Sequence, residues 1–441
     1  MAQGQQIDIA KRIDALPLGR FQIRVVALCF LIALLEGYDT QVIAFVAPAI
    51  ADEWGVERAA LGPAFSSSLL GLMVGAIVLG ACGDRFGRKT ITIASFAAVG
   101  FFTLLTARAT DMNELMLYRF LTGIGLGGTI PNAIALVSEY SPKRLRSTIV
   151  AVISAGFPLG AALGGIAASP LISNMGWRSA FILGGALPLM LTIVLILFLP
   201  ESIRLLADRR TNLIKVGRLL ARIDPTHDID EKDEFITAEA PMQHGSIRSL
   251  FLDQRAIGTL LLWLLFALNL MMLYLMLNWL PTILSDMGFS LQSAIYAAAL
   301  FNVGGILAGI ALGRSIDTVN PYRSIGIMYL LAAVCTPLLA WSGSMVAAVF
   351  VLSALAGAAI LGPQLAINAL AANFYPTSIR SAGVGAALSA GRLGAIVGPI
   401  AGGLVLSLGW APSHAFYFLA IPAVLCVICI YALQFYSRSE D

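Results

Sequence analysis

Residues 31 to 48 read LIALLEGYDTQVIAFVAP and lie inside an apolar run from Val25 to Pro48. A run of that length crosses a bilayer, which takes about 20 helical residues. Glu36 and Asp39 interrupt it three residues apart, and therefore near one face of the helix. A charged carboxylate at the centre of a membrane helix costs about 2.5–3.5 kcal/mol on the insertion scale, so it faces a bundle interior or a wet cavity. Carboxylates in such places carry protons or ions, and that reading is preferred here over a buried structural pair. Gly37 between them lets a ligand or a neighbouring helix approach closely.

The rest of the chain is built in the same way. Of its 441 residues, 58% are hydrophobic and 12% charged, with a mean hydropathy of +0.85. A soluble domain carries about 25% charged residues. Twelve apolar spans are predicted, centred near Phe30, Leu70, Ala98, Gly125, Leu159, Met190, Phe266, Ala299, Leu330, Leu355, Gly394 and Leu425. A hydrophilic stretch from Pro200 to Asp253 divides six spans from six. The expected architecture is an all-α membrane protein: a six-helix half over 1–199, a linker over 200–254 and a second six-helix half over 255–441.

Several function classes are disfavoured at once. The net charge of +3 gives no argument for a nucleic-acid partner. Cys29, Cys82, Cys335, Cys426 and Cys429 sit in or beside apolar spans, so neither a disulfide scaffold nor a metal site is expected. His227 and His244 fall in the linker, whose DPTHDIDEKDE segment reads as charged and mobile rather than metal-binding. No metal cluster or nucleophile constellation suggests an enzyme, and the linker is short and unpatterned for the signalling domain of a sensor.

The basic residues set the orientation. All of the 28 Lys and Arg residues but five fall at the termini, in the linker or in even-to-odd connections. The exceptions are Arg58, Arg108 and Arg178 in the opposite loops, and Arg119 and Arg392 inside spans. The positive-inside rule then puts both termini in the cytoplasm. The first span is too long for a signal-peptide core, and it reads as retained.

The two sets of spans also repeat. Pro142 and Arg146 return as Pro376 and Arg380, both at an offset of 234. Gly80-x3-Asp84 returns as Gly313-x3-Asp317, and Gly160-x3-Gly164 as Gly394-x3-Gly398, at 233 and 234. Three matches at nearly one offset indicate a duplicated six-helix unit, the relation found between the parallel halves of some carriers. The glycines at four-residue spacing read as a ridge for close helix packing.

Charges inside or beside spans are the candidate gate. Asp84, Arg85, Arg88 and Lys89 occupy the loop GACGDRFGRKT, where a carboxylate among basic groups and helix ends can form a latch. Arg119 opens the fourth span; it biases a nearby carboxylate, binds an anion, or snorkels to the outer interface. Glu139 is expected to pair with Arg144 or Arg146, and Asp317 and Arg380 are the second copies of gate positions.

Arg392 is different, because it lies deep in the eleventh span with no acidic residue in its own helix. A bidentate carboxylate is its natural partner. That partner is a substrate carboxylate, the preferred reading, or Glu36 or Asp39. Tyr38, Gln41, Asn132, Tyr274, Asn278, Trp279, Gln364 and Asn368 are polar or aromatic candidates for the same cavity, although a tryptophan in Trp279's position is by default interfacial.

Gly80 to Lys89 resembles the signature loop of the major facilitator superfamily, and LPESIR at Leu199 to Arg204 resembles its Pro-Glu-Ser motif. With the acidic pair in Leu35 to Asp39, SEYSPKRLRS from Ser138, NWLP from Asn278 and GRLGAIVGP from Gly391, the whole chain resembles that superfamily's aromatic acid:proton symporters. The family pattern Asp-Gly-x-Asp has Glu36 in place of its first aspartate. The resemblance implies import of a benzoate- or hydroxybenzoate-like acid across a bacterial inner membrane by alternating access. It implies a monomer with no cofactor beyond the coupling proton, Asp39 and Glu36 being the proton-coupling pair. Arg392, Tyr38, Gln41, Asn278, Trp279, Gln364 and Asn368 would then bind substrate. The alternative is a proton-coupled importer of a non-aromatic acid such as a dicarboxylate.

Overall fold

The computed structural model describes residues 6–208, 213–224, 234–236, 247–252, 255–318, 320–376 and 379–438. Twelve helices in it are long and apolar enough to cross a membrane. The first six are Arg20–Trp54, Arg58–Phe86, Arg88–Thr106, Met112–Tyr140, Lys143–Met175 and Arg178–Phe198. The last six are Ala256–Asp286, Leu291–Gly313, Pro321–Ala340, Val346–Phe374, Ala382–Ser407 and His414–Tyr436. Hydrocarbon offers no partner to backbone N–H and C=O groups, and a helix pairs them within the segment, so the all-α architecture follows from composition. The exception among the described residues is a short parallel ribbon pairing Gln6–Asp8 with Glu234–Ile236.

The repeat seen in the sequence reappears as matching backbone contacts. A Cβ on Gly160 would overlap the Leu34 carbonyl, so the fifth span lies directly on the first. Its copy, Gly394, meets the Ala267 carbonyl in the same way where the eleventh span crosses the seventh. Gly71 and Gly123 lock the second span to the fourth at Phe120 and Ser68, while Gly304 and Gly357 lock the eighth to the tenth at Ala354 and Phe301. Lipid supplies no hydrophobic drive between helices, so this close packing is a main source of their association. The glycine ridge read from the sequence is thus a packing device.

Part of the linker is more ordered than its composition suggests. Leu213–Ile223 is a helix whose Val216, Leu219, Leu220 and Ile223 are buried, a spacing of three, four and seven that forms one apolar stripe. The charged residues around it masked that periodicity. It shares a core with Ile9 and Ile13 of the short helix Ile9–Ala15 and with the inner ends of the first, fourth and sixth spans. Arg12 bonds Asp224 at 2.5 Å, and the Lys143 amide donates to Asp14 at 2.7 Å. His227 and His244 lie outside the described residues.

Among the described residues, three polar links join the first six spans to the last six at the end of the bundle remote from the termini. Arg58 reaches Asp286 at 3.1 Å, Ser66 donates to the Ile396 carbonyl at 2.9 Å, and Gln41 donates to the Leu277 carbonyl. Trp279 packs edge-on against Phe65 with centroids 5.1 Å apart, and its indole N–H donates to the Pro399 carbonyl. Trp279 is therefore a buried wedge between the two sets of spans and not an interfacial residue. The sequence could not separate these roles, since both place an indole near a helix end.

The glycine contacts make a two-sided prediction. Gly385, in the same eleventh span, has nothing within 4 Å of where a Cβ would lie. Gly385→Ala is expected to leave thermal stability in detergent unchanged or to raise it by about 1 kcal/mol, the helix preference for Ala over Gly. Gly394→Ala is expected to lower it by about 1–3 kcal/mol through overpacking, read as the unfolding midpoint of the purified proteins.

Candidate transport site

A cavity of about 740 Å³ lies between the two sets of spans. It runs from Glu36, Tyr274 and Arg392 near mid-bundle toward Ala151 and Gly313, which lie on the side that carries the termini. The Phe65–Trp279 contact and the Arg58–Asp286 pair are on the opposite side. Most of the lining is apolar, with Leu126, Phe157 and Pro158 among its walls.

The two carboxylates of the first span have separate fates. Asp39 is fully buried and held by Arg119, which is fully buried as well. The guanidinium bonds both carboxylate oxygens, at 3.2 and 3.0 Å, and the Asp39 carbonyl at 2.9 Å. Thr103 adds a 2.5 Å hydrogen bond, and the Phe181 ring lies 5.8 Å from the guanidinium carbon. Arg119, read as a gate residue that biases a nearby carboxylate, binds an anion or snorkels to the outer interface, lies inside the first six spans against the Asp39 carboxylate. Snorkelling is ruled out by its zero exposure.

Glu36, in contrast, is on the cavity wall, where its carboxylate accepts a 2.7 Å hydrogen bond from Thr129. Gly37 beside it is required by geometry, because a Cβ there would overlap the Phe157 carbonyl of the fifth span. Arg392 and Tyr274 share the cavity with it. Among the described residues, the Arg392 guanidinium has no hydrogen bond and no ion pair. An unpaired cation in a mostly apolar cavity suits a carboxylate, which a guanidinium binds in a two-pronged fork.

Gln364 lines the cavity and closes a chain of amides and a phenol behind it. Tyr329 donates to Asn269 at 3.1 Å, Asn269 to Gln364 at 2.6 Å, and Gln364 reaches Asn368 at 3.5 Å. Asn269, Tyr329, Thr103 and Thr129 were not singled out from the sequence. A lone polar residue in an apolar span shows nothing until its helix face is known.

Other candidates face elsewhere. The Tyr38 ring lies between Gly164 and Gly184, and its hydroxyl donates to the Ala180 carbonyl at 2.7 Å, inside the first six spans. Gln41 and Trp279 belong to the contact between the two sets of spans, and the Asn278 amide donates to the Tyr274 carbonyl one turn back. Asn132 ties the fourth span to the second through the Leu79 carbonyl.

Apart from Arg119, the gate candidates of the first six spans gather at the side that carries the termini. Arg88 pairs with Glu139 at 2.5 Å and with Asp84 at 3.3 Å, where the sequence suggested Arg144 or Arg146 for Glu139. Arg144 is turned to the carbonyls of Asp14 and Leu16 instead. Arg146 borders a smaller cavity of about 240 Å³ with Arg88, Glu139 and Arg204. Glu201, of the Pro-Glu-Ser motif, accepts from the Lys89 amide at 3.0 Å, while Ser202 donates to Glu139 at 2.6 Å. A carboxylate there also meets the positive end of the third-span helix. The signature loop and the Pro-Glu-Ser motif are thus one constellation. Lys89 reaches the Ile196 carbonyl, and Arg85 stacks on Phe86. Arg380 donates to the Tyr375 carbonyl at 3.4 Å, and the Asp317 side chain lies outside the described residues.

Comparison with known proteins places this geometry. The Major Facilitator Superfamily model matches residues 29–365 and 262–441. The 4-hydroxybenzoate transporter PcaK of Pseudomonas putida is 40% identical over 439 residues, covering 99% of this chain and 98% of that protein. A gallate transporter of Pseudomonas putida is 38% identical, covering 97% and 95%. Among solved structures, an inward-facing, unoccupied bacterial homolog of the human lysosomal transporter Spinster matches with a TM-score of 0.71 at 18% identity, over 96% of this chain and 98% of that one. That likeness shows the fold. The family and these relatives are transporters, not enzymes, and the chain is a multi-pass membrane protein of the same kind. It belongs to the Major Facilitator Superfamily and, within it, to the family that holds the 4-hydroxybenzoate and gallate transporters.

Proposed function

We propose that this protein imports an aromatic carboxylate, of the hydroxybenzoate type, together with a proton. The observation that carries the proposal is the Arg392 guanidinium, which lines the central cavity without a partner among the described residues. The relatives named for 4-hydroxybenzoate and gallate transport supply the aromatic class. The largely apolar wall around Phe157 and Pro158 suits a ring, and Gln364 and Tyr274 suit a ring hydroxyl. A dicarboxylate, the rival substrate, would want a second cation. Among the described residues, Arg392 is the sole Lys or Arg in the lining.

The proton is assigned to Glu36. Its negative charge and that of a substrate carboxylate on Arg392 would share one low-dielectric cavity, and like charges there repel strongly. Protonating Glu36 removes that repulsion, so substrate and proton bind together and leave together. Asp39, enclosed with Arg119 and Thr103 away from the cavity, is better suited to anchoring the first, third and fourth spans.

Transport follows the alternating-access scheme, in which the two sets of spans rock about the central site. The basic termini and linker mark the cytoplasmic face by the positive-inside rule, in the bacterial inner membrane. The arrangement described, closed at Arg58–Asp286 and hollow toward Ala151 and Gly313, then corresponds to the inward-facing state. Opening outward requires breaking the Arg58–Asp286 and Gln41–Leu277 links and closing the cavity at the cytoplasmic end. The Arg88–Glu139–Glu201 group stays with the first six spans through that motion.

Uptake of labelled 4-hydroxybenzoate into proteoliposomes tests the reading. An inward proton gradient is expected to drive accumulation in wild type, and Arg392→Ala to lose at least tenfold in uptake with the protein still folded. Glu36→Gln is expected to abolish gradient-driven accumulation while preserving exchange of substrate at equal concentrations. Intact uptake in Arg392→Ala would remove that residue from the site, and gradient-driven accumulation by Glu36→Gln would remove Glu36 from coupling.

The role given to Asp39 has its own signature. Asp39→Asn leaves a buried guanidinium unpaired, a change that costs about 3–5 kcal/mol in comparable pairs. A lowered unfolding midpoint is expected, recovered in large part by adding Arg119→Met. Asp39→Asn with wild-type stability would contradict the anchoring role.

A further inference from the structure

A second groove, of about 730 Å³, lies at the side that carries the termini and is separate from the transport cavity. Arg20 and Arg24 enter it from the start of the first span, Arg222 from the linker helix Leu213–Ile223, and Leu197 and Phe198 from the end of the sixth span. Three guanidinium groups from two distant parts of the sequence thus converge on one concavity. None of the three has a hydrogen bond or ion pair among the described residues. Arg24 is nevertheless positioned, with its guanidinium carbon 5.4 Å from the Phe21 ring centre and 5.9 Å from that of Phe198. Arg222 is positioned by its helix, whose opposite face is buried in the core beside the first span.

We propose that this groove binds the headgroup of an anionic phospholipid. Its chemistry calls for a phosphate, which arginine forks recognise with two parallel hydrogen bonds. Its location selects a lipid over a soluble phosphate. The apolar rim is continuous with the surface that faces hydrocarbon: Ile23, Ile193, Leu197 and Phe198 are 56%, 62%, 69% and 47% exposed. A phosphodiester seated among the arginines would therefore leave its acyl chains lying along the first and sixth spans. Basic pockets at the cytoplasmic ends of membrane helices bind lipid headgroups in this manner. The ligand would also bridge the linker helix to the first span, bracing the linker against the membrane.

Titration of the purified full-length protein with phosphatidylglycerol, followed by native mass spectrometry, tests this. Phosphatidylethanolamine, zwitterionic with no net charge, serves as the comparison lipid and inorganic phosphate as the soluble competitor. Arg222→Gln removes one fork without touching a membrane span. Arg218→Gln removes the same charge from an exposed position of the same helix outside the groove. Wild type is expected to prefer phosphatidylglycerol over phosphatidylethanolamine. Arg222→Gln should weaken that binding about fivefold, the effect of one basic residue at a lipid surface, and Arg218→Gln should leave it unchanged. Equal losses in the two variants would reduce the site to diffuse charge and overturn the proposal. No preference between the lipids would also overturn it, as would displacement of the lipid by equimolar inorganic phosphate.

Discussion

A charge inside the hydrocarbon layer must be paired or wet, and this structure divides its buried charges between the two solutions. Asp39 and Arg119 are paired so completely that both side chains have no exposure. Glu36 and Arg392 stand at the central cavity instead. The first arrangement fixes spans relative to one another, because removing either partner strands the other charge. The second leaves a cation and a carboxylate whose electrostatic balance changes when an anion or a proton arrives. The enclosed charge and the cavity-lining charge are thus separated by less than one helical turn of the first span.

The scaffold that makes this separation possible is a packing duplicate. Gly160 on Leu34 and Gly394 on Ala267 are one contact made twice, as are Gly71 on Phe120 and Gly304 on Ala354. These backbone-to-backbone contacts pack the spans of each set closely, which suits the proposed rocking at the surface between the two sets. That surface is lightly bonded in polar terms at the far side, by Arg58–Asp286, Ser66–Ile396 and Gln41–Leu277. In the proposed rocking those links break, while the glycine contacts within each set remain. At the other side, Arg88, Glu139, Glu201 and Ser202 tie the second–third loop to the ends of the fourth and sixth spans. Those ties lie at the side that carries the termini and hold that rim of the first six spans together.

Spans, duplication and the presence of charge at mid-bundle were legible in the sequence because each is written in one dimension. Apolar length, a constant offset and a carboxylate in an apolar run need no partner to be seen. What could not be read is which face of each helix meets which neighbour. Glu36 and Asp39, three residues apart, differ in direction by about 60° around the helix. That offset is enough for one to line the cavity and the other to enter the helix bundle. Tyr38 points into the notch left by Gly164 and Gly184, a fit that depends on two other spans. The pairing of Asp39 with Arg119 across 80 positions, and of Glu139 with Arg88 across the second–third loop, likewise depends on packing. The linker helix was legible in principle through Val216, Leu219, Leu220 and Ile223, but its flanking charges obscured the stripe.

The central claim is that a carboxylate bound at Arg392 brings a proton to Glu36, and calorimetry of binding tests it most directly. The heat of 4-hydroxybenzoate binding to the detergent-purified protein would be measured in buffers of different ionisation enthalpy at one pH. The slope against that enthalpy counts protons taken up on binding. The account predicts uptake approaching one proton per substrate in wild type at a pH where Glu36 starts ionised, and none in Glu36→Gln. A slope unchanged in Glu36→Gln would show that the proton goes elsewhere and would contradict the account.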